Sequence, residues 1–434
     1  MHTLADLRAG KLAGIKRLDL TAGLTEFPRE IFTLSDSLEM LDLSNNALTE
    51  LPDDLHRLKH LKILFCSNNP FTRLPEGIGQ CPELQVVGFK ACRIREVPAA
   101  ALPPRLRSLI LTDNCIESLP DALGDCEALQ KLMMAGNRLR QLPATLARCT
   151  RLELLRISAN HIHQLPDWLL EMPALAWLAC AGNPLSSPPN DTPIHPIPWQ
   201  DLQLEQVLGQ GASGVIQQAL WFDEDRPPQP VAVKLYKGAV TSDGSPLNEM
   251  AACIAAGNHP NLITVEGQIH GHPAEVDGLV MQLISPEFIN LAGPPSLQSC
   301  TRDIYGATRF SPAVAVRIAA GVAAATAHLH AHGLTHGDLY AHNVLWNEHG
   351  DCLLGDFGAA SFYPDATTGL GLERLEVRAF GLLLGELIER CDGMDADLQG
   401  RLIELQEQCI QPTATLRPVF VEIEQQLSAI STLR

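Results

Sequence analysis

The sequence lacks any uninterrupted apolar run of about eighteen residues, so the ordinary signature of a membrane-spanning helix is missing. Its opening, Met1 to Arg8, has no basic stretch followed by an apolar core, and so does not read as a secretory signal. The twelve cysteines contain no Cys-x-x-Cys pair and no framework spacing, which argues against disulfides or zinc and for a reduced, cytoplasmic setting. Cations are short in the second half. Residues 200–434 hold 12 Lys and Arg against 28 Asp and Glu, a net of −16; residues 1–199 hold 20 against 22, a net of −2. Phosphate contacts need clustered positive charge, so nucleic acid is excluded as a partner. The acidity reads as solubility, or as steering toward basic substrates.

What is present is ample. At 434 residues the chain exceeds one ordinary domain, and 46% hydrophobic against 19% charged residues describes a folded, soluble protein. Leucine-type residues open units at Ile15, Leu38, Leu61, Leu84, Leu106, Leu129, Leu152 and Leu175, stepping by 23 residues with a single 22. Each unit follows LxxLxLxxNxLxxLP. The ninth position is Asn46, Asn69, Cys92, Asn114, Asn137, Asn160 and Asn183 from the second unit onward, with Gly23 in the first. The alternation predicts a short strand with inward leucines, one per unit, stacked into a parallel sheet. The ninth-position Asn turns the chain out of the strand, where its amide can bond backbone of adjacent turns. No unit buries its own face, so neighbours must stack. The pattern resembles the leucine-rich-repeat family over residues 15–185, eight units behind a helical cap at residues 1–14.

Cysteines obey this grammar: Cys66 and Cys180 at an inward position, Cys92 in the Asn position, and Cys81, Cys126 and Cys149 at position 21. They read as small buried hydrophobes. Positions three and five of the units form the concave face, and both rows are more apolar than a solvated sheet face. Phe65, Ile110, Met133 and Trp177 are the candidate contacts. This face is expected to dock a protein partner, or the second domain itself, unless its ladders only stabilise the sheet.

A Pro-rich stretch over residues 186–199 ends the repeat and is expected to be an extended spacer. The grammar then changes. Leu208-Gly209-Gln210-Gly211-Ala212-Ser213-Gly214-Val215 gives G-x-G-x-x-G-x-V, and only glycine lets backbone N–H groups come close to phosphate oxygens. The motif alone is shared with dinucleotide-binding loops. Lys234 in Val231-Ala232-Val233-Lys234 lies nineteen residues after Val215 and is one of two lysines in residues 200–434. Glu249 falls in a helical segment as the natural ion-pair partner of Lys234, and Leu279 to Ile284 reads as a strand and hinge with Met281 as gatekeeper. Next come His336-Gly337-Asp338-Leu339-Tyr340-Ala341-His342-Asn343 and, thirteen residues after Asn343, Asp356-Phe357-Gly358.

Five motifs in this order make residues 200–434 resemble the bilobal α+β protein kinase fold, and the chain as a whole resembles the leucine-rich-repeat protein kinases. The resemblance implies ATP and Mg²⁺ as cofactors, with Gly209, Gly211, Gly214, Val215, Ala232 and Met281 around the nucleotide. It implies Lys234 on the phosphates with Glu249, Asp338 as catalytic base, and Asn343 and Asp356 on magnesium. The acceptor it implies is a protein hydroxyl, serine or threonine ahead of tyrosine.

Four departures qualify it. Gly337 replaces the arginine before the catalytic aspartate, so control by a phosphorylated activation segment is in doubt. Tyr340 stands where serine/threonine kinases carry lysine. No Ala-Pro-Glu follows Gly358; Glu376 replaces an aspartate of the next helix, and Glu373 is the expected substitute partner of Arg417. The tail after residue 385 leaves little room for the helices that dock peptides, so recognition would fall to the repeats. Two other readings stand beside the protein kinase. One is a small-molecule phosphotransferase of aminoglycoside- or choline-kinase type, which His336-Gly337-Asp338-Leu339 resembles; the other is a catalytically inactive scaffold.

Overall fold

The computed structural model describes residues 2–185, 194–211, 213–223, 227–238, 240–241 and 243–432. Ala212 of the glycine loop and residues 186–193 of the Pro-rich stretch lie outside the described residues. The chain divides into two compact units, Met1–Leu175 and Ala176–Arg434.

The first unit opens with helix α1 (Leu4–Arg8), whose N-cap Thr3 accepts from the Asp6 N–H at 3.1 Å. Three-residue strands follow, one per repeat: β1 (Arg17–Asp19), β2 (Met40–Asp42), β3 (Ile63–Phe65), β4 (Val86–Gly88), β5 (Ser108–Ile110), β6 (Lys131–Met133) and β7 (Leu154–Arg156). All pair in parallel, each unit's third position opposite the next unit's third. Returns are mostly single 3₁₀ turns behind a proline, with one short helix α2 (Asp167–Leu170) in the seventh unit. Strand β8 (Trp177–Ala179) opens the second unit.

Inward leucines such as Leu41, Leu64, Leu109, Leu132 and Leu155 are 0–1% exposed. The asparagines do what their position predicts. Asn137 accepts from the Ile116 N–H at 3.0 Å and donates to the carbonyls of Leu111 and Met134 at 2.8 and 3.0 Å. Asn69, Asn114 and Asn160 repeat this arrangement. At Cys92 the thiol donates to the Cys66 carbonyl at 3.5 Å. All twelve cysteines are free, and burial pushes the Cys81 thiol up to about 12, which makes it chemically inert.

The second unit begins with a difference from expectation. Within the stretch read as a spacer, Pro196–Pro198 forms β9, an edge strand parallel to β13 (Val265–His270). Proline is tolerated at an edge because its missing N–H faces away from the ladder, and Ile197 between the two prolines is fully buried. The sheet runs β10 (Leu202–Gln210), β11 (Gly214–Trp221), β12 (Gln229–Tyr236), β14 (Gly278–Gln282), β13, β9. Helix α3 (Pro246–Ala256) starts on an N-cap Ser245 with Pro246 in its first turn and ends at Gly257, φ +64°.

Below it, β15 (Ile289–Asn290), β17 (Val344–Trp346) and β18 (Cys352–Leu354) make one small sheet, while β16 (Leu334–Thr335) and β19 (Ser361–Phe362) pair antiparallel. Four helices follow the chain: α4 (Pro312–Ala331), α5 (Ala366–Glu389), α6 (Ala396–Cys409) and α7 (Phe420–Thr432). By length and composition alone α4 could cross a bilayer, but more than half of its most apolar stretch is buried as the central helix of this unit.

Removing the amide ladder at one rung leaves a buried N–H and two buried carbonyls short of a partner. Asn137→Ala is expected to cost about 2–4 kcal/mol in denaturant unfolding of the full chain, whereas a surface change such as Arg140→Ala should stay within about 0.5 kcal/mol.

Candidate active site

The glycine loop spans the turn from β10 to β11. A side chain at Gly214 would collide with the Leu235 carbonyl of β12, so that glycine is required by strand packing. Gly209 and Gly211 are different: a Cβ there would meet nothing within 4 Å. Their bareness keeps space open over a cleft of about 310 Å³. Gly209, Gly211, Gly214, Lys234, Glu249, Met281 and Asp356 line this cleft, with Ile216, Val265 and Phe357 among its apolar walls. Val215 and Ala232 sit on the adjoining strands, Val215 opposite Leu235 and Ala232 opposite Met281. Thr241, Asp243 and Cys253 also line it, and no motif had singled them out. Lys237, the second lysine, donates to the Gly211 carbonyl at 3.0 Å and ties down the loop.

Lys234 on β12 and Glu249 on α3 form an ion pair, their side chains 13% and 2% exposed. Burial alone would pull the Lys234 pKa down. The carboxylates of Glu249 and Asp356 outweigh it and hold the ammonium above its ordinary value. Asp356 adopts the left-handed region, φ 56°, with its carboxylate accepting from the Gly358 N–H at 3.2 Å. A non-glycine residue held there points to a functional constraint.

Asp338 and Asn343 are brought together beside this cleft. The Asn343 side-chain amide donates to the Asp338 carbonyl at 2.8 Å and to its carboxylate at 3.1 Å. The Gly355 N–H donates to the Asn343 carbonyl at 3.0 Å, and the His336 ring meets the Gly355 carbonyl through Nε2 at 2.8 Å. The residue preceding Asp356 is therefore stitched to the loop that carries Asp338. Phe357 packs its ring 5.4 Å from that of His336.

The loop has buried anchors of its own. Glu376 on α5, 3% exposed, accepts from the backbone N–H of His336 at 3.0 Å and of Gly337 at 2.6 Å, and meets His330 Nε2 at 3.0 Å. Burial pushes its carboxyl up, but His330, His336 and the Gly337 N–H prevail and hold it below the ordinary glutamate value. Asp303 is the anchor the sequence reading missed. It accepts from the Ala341 N–H at 2.9 Å and meets His342 Nδ1 at 2.8 Å. Burial lowers the His342 pKa, and the hydrogen bond to Asp303 together with the charges of Asp338 and Asp356 more than reverses this.

Arg417 reaches into this helical region, where its guanidinium donates to the carbonyls of Gln411 at 2.8 Å and Arg374 at 3.0 Å. Glu373, the expected partner of Arg417, instead accepts from the Phe420 N–H at 2.8 Å and caps α7. The helix start offers an unpaired N–H that the carboxylate satisfies.

The donor set fits a magnesium ion that arrives with a nucleotide. Mg²⁺ is commonly held by one or two carboxylates plus substrate phosphates and waters. Among the described residues no cluster of three or more His, Cys, Asp or Glu side chains forms a cage of its own. Asp356 with Asn343 is such a partial set, next to a cleft that glycines keep open.

Of the concave-face candidates, Phe65 lays its ring over Gly88 of the next strand, whose missing side chain makes the room. Ile110 is half-buried and Met133 is 9% exposed. Trp177 is 2% exposed, with its indole N–H donating to the Leu339 carbonyl at 3.0 Å.

Comparison with known proteins agrees with this geometry. Residues 202–373 match the family model described as protein tyrosine and serine/threonine kinase, and residues 36–79 match leucine-rich repeats in two copies. The chain joins leucine-rich repeats to a protein kinase domain. Similar proteins include CBL-interacting protein kinase 22 of Oryza sativa subsp. japonica, 32% identical over 178 residues, 39% of this chain and 38% of the relative. Serine/threonine-protein kinase PkaB of Streptomyces coelicolor is 28% identical over 177 residues, 39% and 36% of the two chains. Serine/threonine-protein kinase mos of Gallus gallus is 29% identical over 174 residues, 38% and 48%. The chain spans 36–48% of the length of these relatives.

A carboxyl whose folded pKa is depressed stabilises the fold fully above its unfolded pKa, and the contribution is lost as pH falls through the folded value. Denaturant unfolding of the wild type should thus weaken on the acid side of the ordinary glutamate range, and Glu376→Gln should flatten that part of the profile. Glu376→Ala, which strands His330 and two backbone N–H groups, should cost about 3–5 kcal/mol.

Proposed function

We propose that the second unit transfers the γ-phosphoryl group of ATP, in the presence of Mg²⁺, to a serine or threonine hydroxyl of a protein. The observation that carries this reading is the meeting of the Lys234–Glu249 pair with Asp356 in one glycine-covered cleft, with Asp338 tied to Asn343 beside it. Lys234 supplies fixed positive charge for phosphate oxygens, and Glu249 keeps it pointed there. Asp356 and Asn343 would hold Mg²⁺, which when bound neutralises charge on the phosphates. Asp338 orients the acceptor hydroxyl and takes its proton as the new O–P bond forms and the bond to ADP breaks. The names of two similar proteins, both serine/threonine-protein kinases, support that acceptor class.

The leucine-rich repeats serve, in this reading, to recognise a protein partner or substrate through their concave face, with Phe65, Ile110 and Met133 as contacts. The free thiols support a reducing, cytoplasmic setting. Gly337 supports regulation that does not use a phosphorylated activation segment. A second reading, a scaffold without turnover, rests on Tyr340, which is buried where serine/threonine kinases carry lysine.

Purified full-length protein incubated with labelled ATP, Mg²⁺ and a basic protein substrate should incorporate label. Asp338→Asn should lower kcat by about 10²- to 10⁴-fold while nucleotide binding survives, and Lys234→Met should abolish turnover. Transfer that persists unchanged in Asp338→Asn contradicts the assignment. Nucleotide binding with no transfer selects the scaffold, and transfer to amino sugars or choline but not protein selects the small-molecule enzyme. Phe65→Glu should weaken partner capture without changing transfer to the basic protein.

A further inference from the structure

We infer that Trp177, on the last repeat strand, is a positioning residue for Asp338, and that this strand takes over the support that a phosphorylated activation segment would otherwise give the catalytic loop. The inference rests on the kinase reading above. The indole N–H of Trp177 donates to the carbonyl of Leu339, the residue directly following Asp338, at 3.0 Å. Its ring stacks on Tyr340 with centroids 4.2 Å apart and planes 8° from parallel. Both are nearly inaccessible, at 2% and 3% exposure. The residue that follows this strand reaches β19: the Cys180 N–H donates to Ser361 Oγ at 3.0 Å. Ser361 pairs with Thr335 just ahead of His336.

Gly337 and Tyr340, two of the departures from the kinase pattern, are accounted for together. Gly337 has φ +74°, and a Cβ there would meet the carbonyl oxygens of Ala359 at 2.5 Å and Leu178 at 2.7 Å. An arginine cannot occupy that position between the Ala359 carbonyl and the Leu178 carbonyl of β8. Tyr340, in turn, offers the flat face that Trp177 needs. An aromatic stack with a buried hydrogen bond is worth more than its area alone, and it acts on the backbone that aims the Asp338 carboxylate.

The test uses the full chain with Trp177→Ala and Trp177→Phe. Phenylalanine keeps the stack and loses the hydrogen bond. Hydrogen exchange of the peptide covering residues 336–343 should speed up in Trp177→Ala and to a lesser extent in Trp177→Phe, with the exchange of the β12 and α3 peptides unchanged. In the transfer assay kcat should fall about ten- to hundred-fold in Trp177→Ala, with partial recovery in Trp177→Phe and KM for ATP within about threefold. If Trp177→Ala does not fold, Trp177→Phe decides on the same two readouts. Unchanged exchange and unchanged kcat overturn the inference, as does a rise in kcat, which would make the strand a brake. A wild type without transfer sinks the kinase reading, while the exchange measurement still decides whether Trp177 holds the loop.

Discussion

Glu376 accepts hydrogen bonds from two consecutive backbone N–H groups, His336 and Gly337, in the interior of the second unit. A buried carboxylate is costly unless it is paired and hydrogen-bonded, and here His330 completes the arrangement. That requirement works in both directions. The carboxylate is tolerable only if the loop comes to it, and the loop has a fixed place only because the carboxylate is there. Asp338 inherits its position from this contact, and Asp303, Asn343 and Trp177 fix the following residues one after another. Glutamate is one methylene longer than the aspartate it replaces, and it sits on α5, which begins at Ala366, soon after Gly358.

This short path from Asp356 to α5 explains why the departures cluster. With only residues 359–365 between Gly358 and α5, little chain is left to form a long activation segment. Support for the loop comes from elsewhere: from α5 through Glu376, from Asp303, and from β8 through Trp177. The family match, which ends at residue 373 within α5, includes this short segment.

Most of the architecture was legible in the sequence because both halves obey local rules. A 23-residue period with asparagine at a fixed place leaves one way to satisfy the backbone, and the rungs at Asn69, Asn114, Asn137 and Asn160 follow it. Lys234, Glu249 and Asp356 lie on separate elements, yet the glycine loop and the order of motifs foretold their meeting. What escaped was non-local. Pro196 to Pro198 looked like spacer, since nothing in three residues announces that a neighbouring strand has an open edge. Asp303 is one carboxylate among 28 acidic residues in the second half, without a motif around it. The kinase resemblance points to Glu373 as a substitute partner for Arg417, whereas its carboxylate accepts from the Phe420 N–H at the start of α7. Trp177 was read as a member of a concave face, and its stacking on Tyr340 depends on residues 163 positions away.

The most direct test of the account is a structure of the full chain with Mg²⁺ and a non-hydrolysable ATP analogue. The account predicts triphosphate density under Gly209 and Gly211, a metal ligated by Asp356 and Asn343, the Lys234 ammonium on phosphate oxygens and the Asp338 carboxylate facing the terminal phosphate. A nucleotide bound elsewhere, or one whose metal touches neither Asp356 nor Asn343, would contradict it.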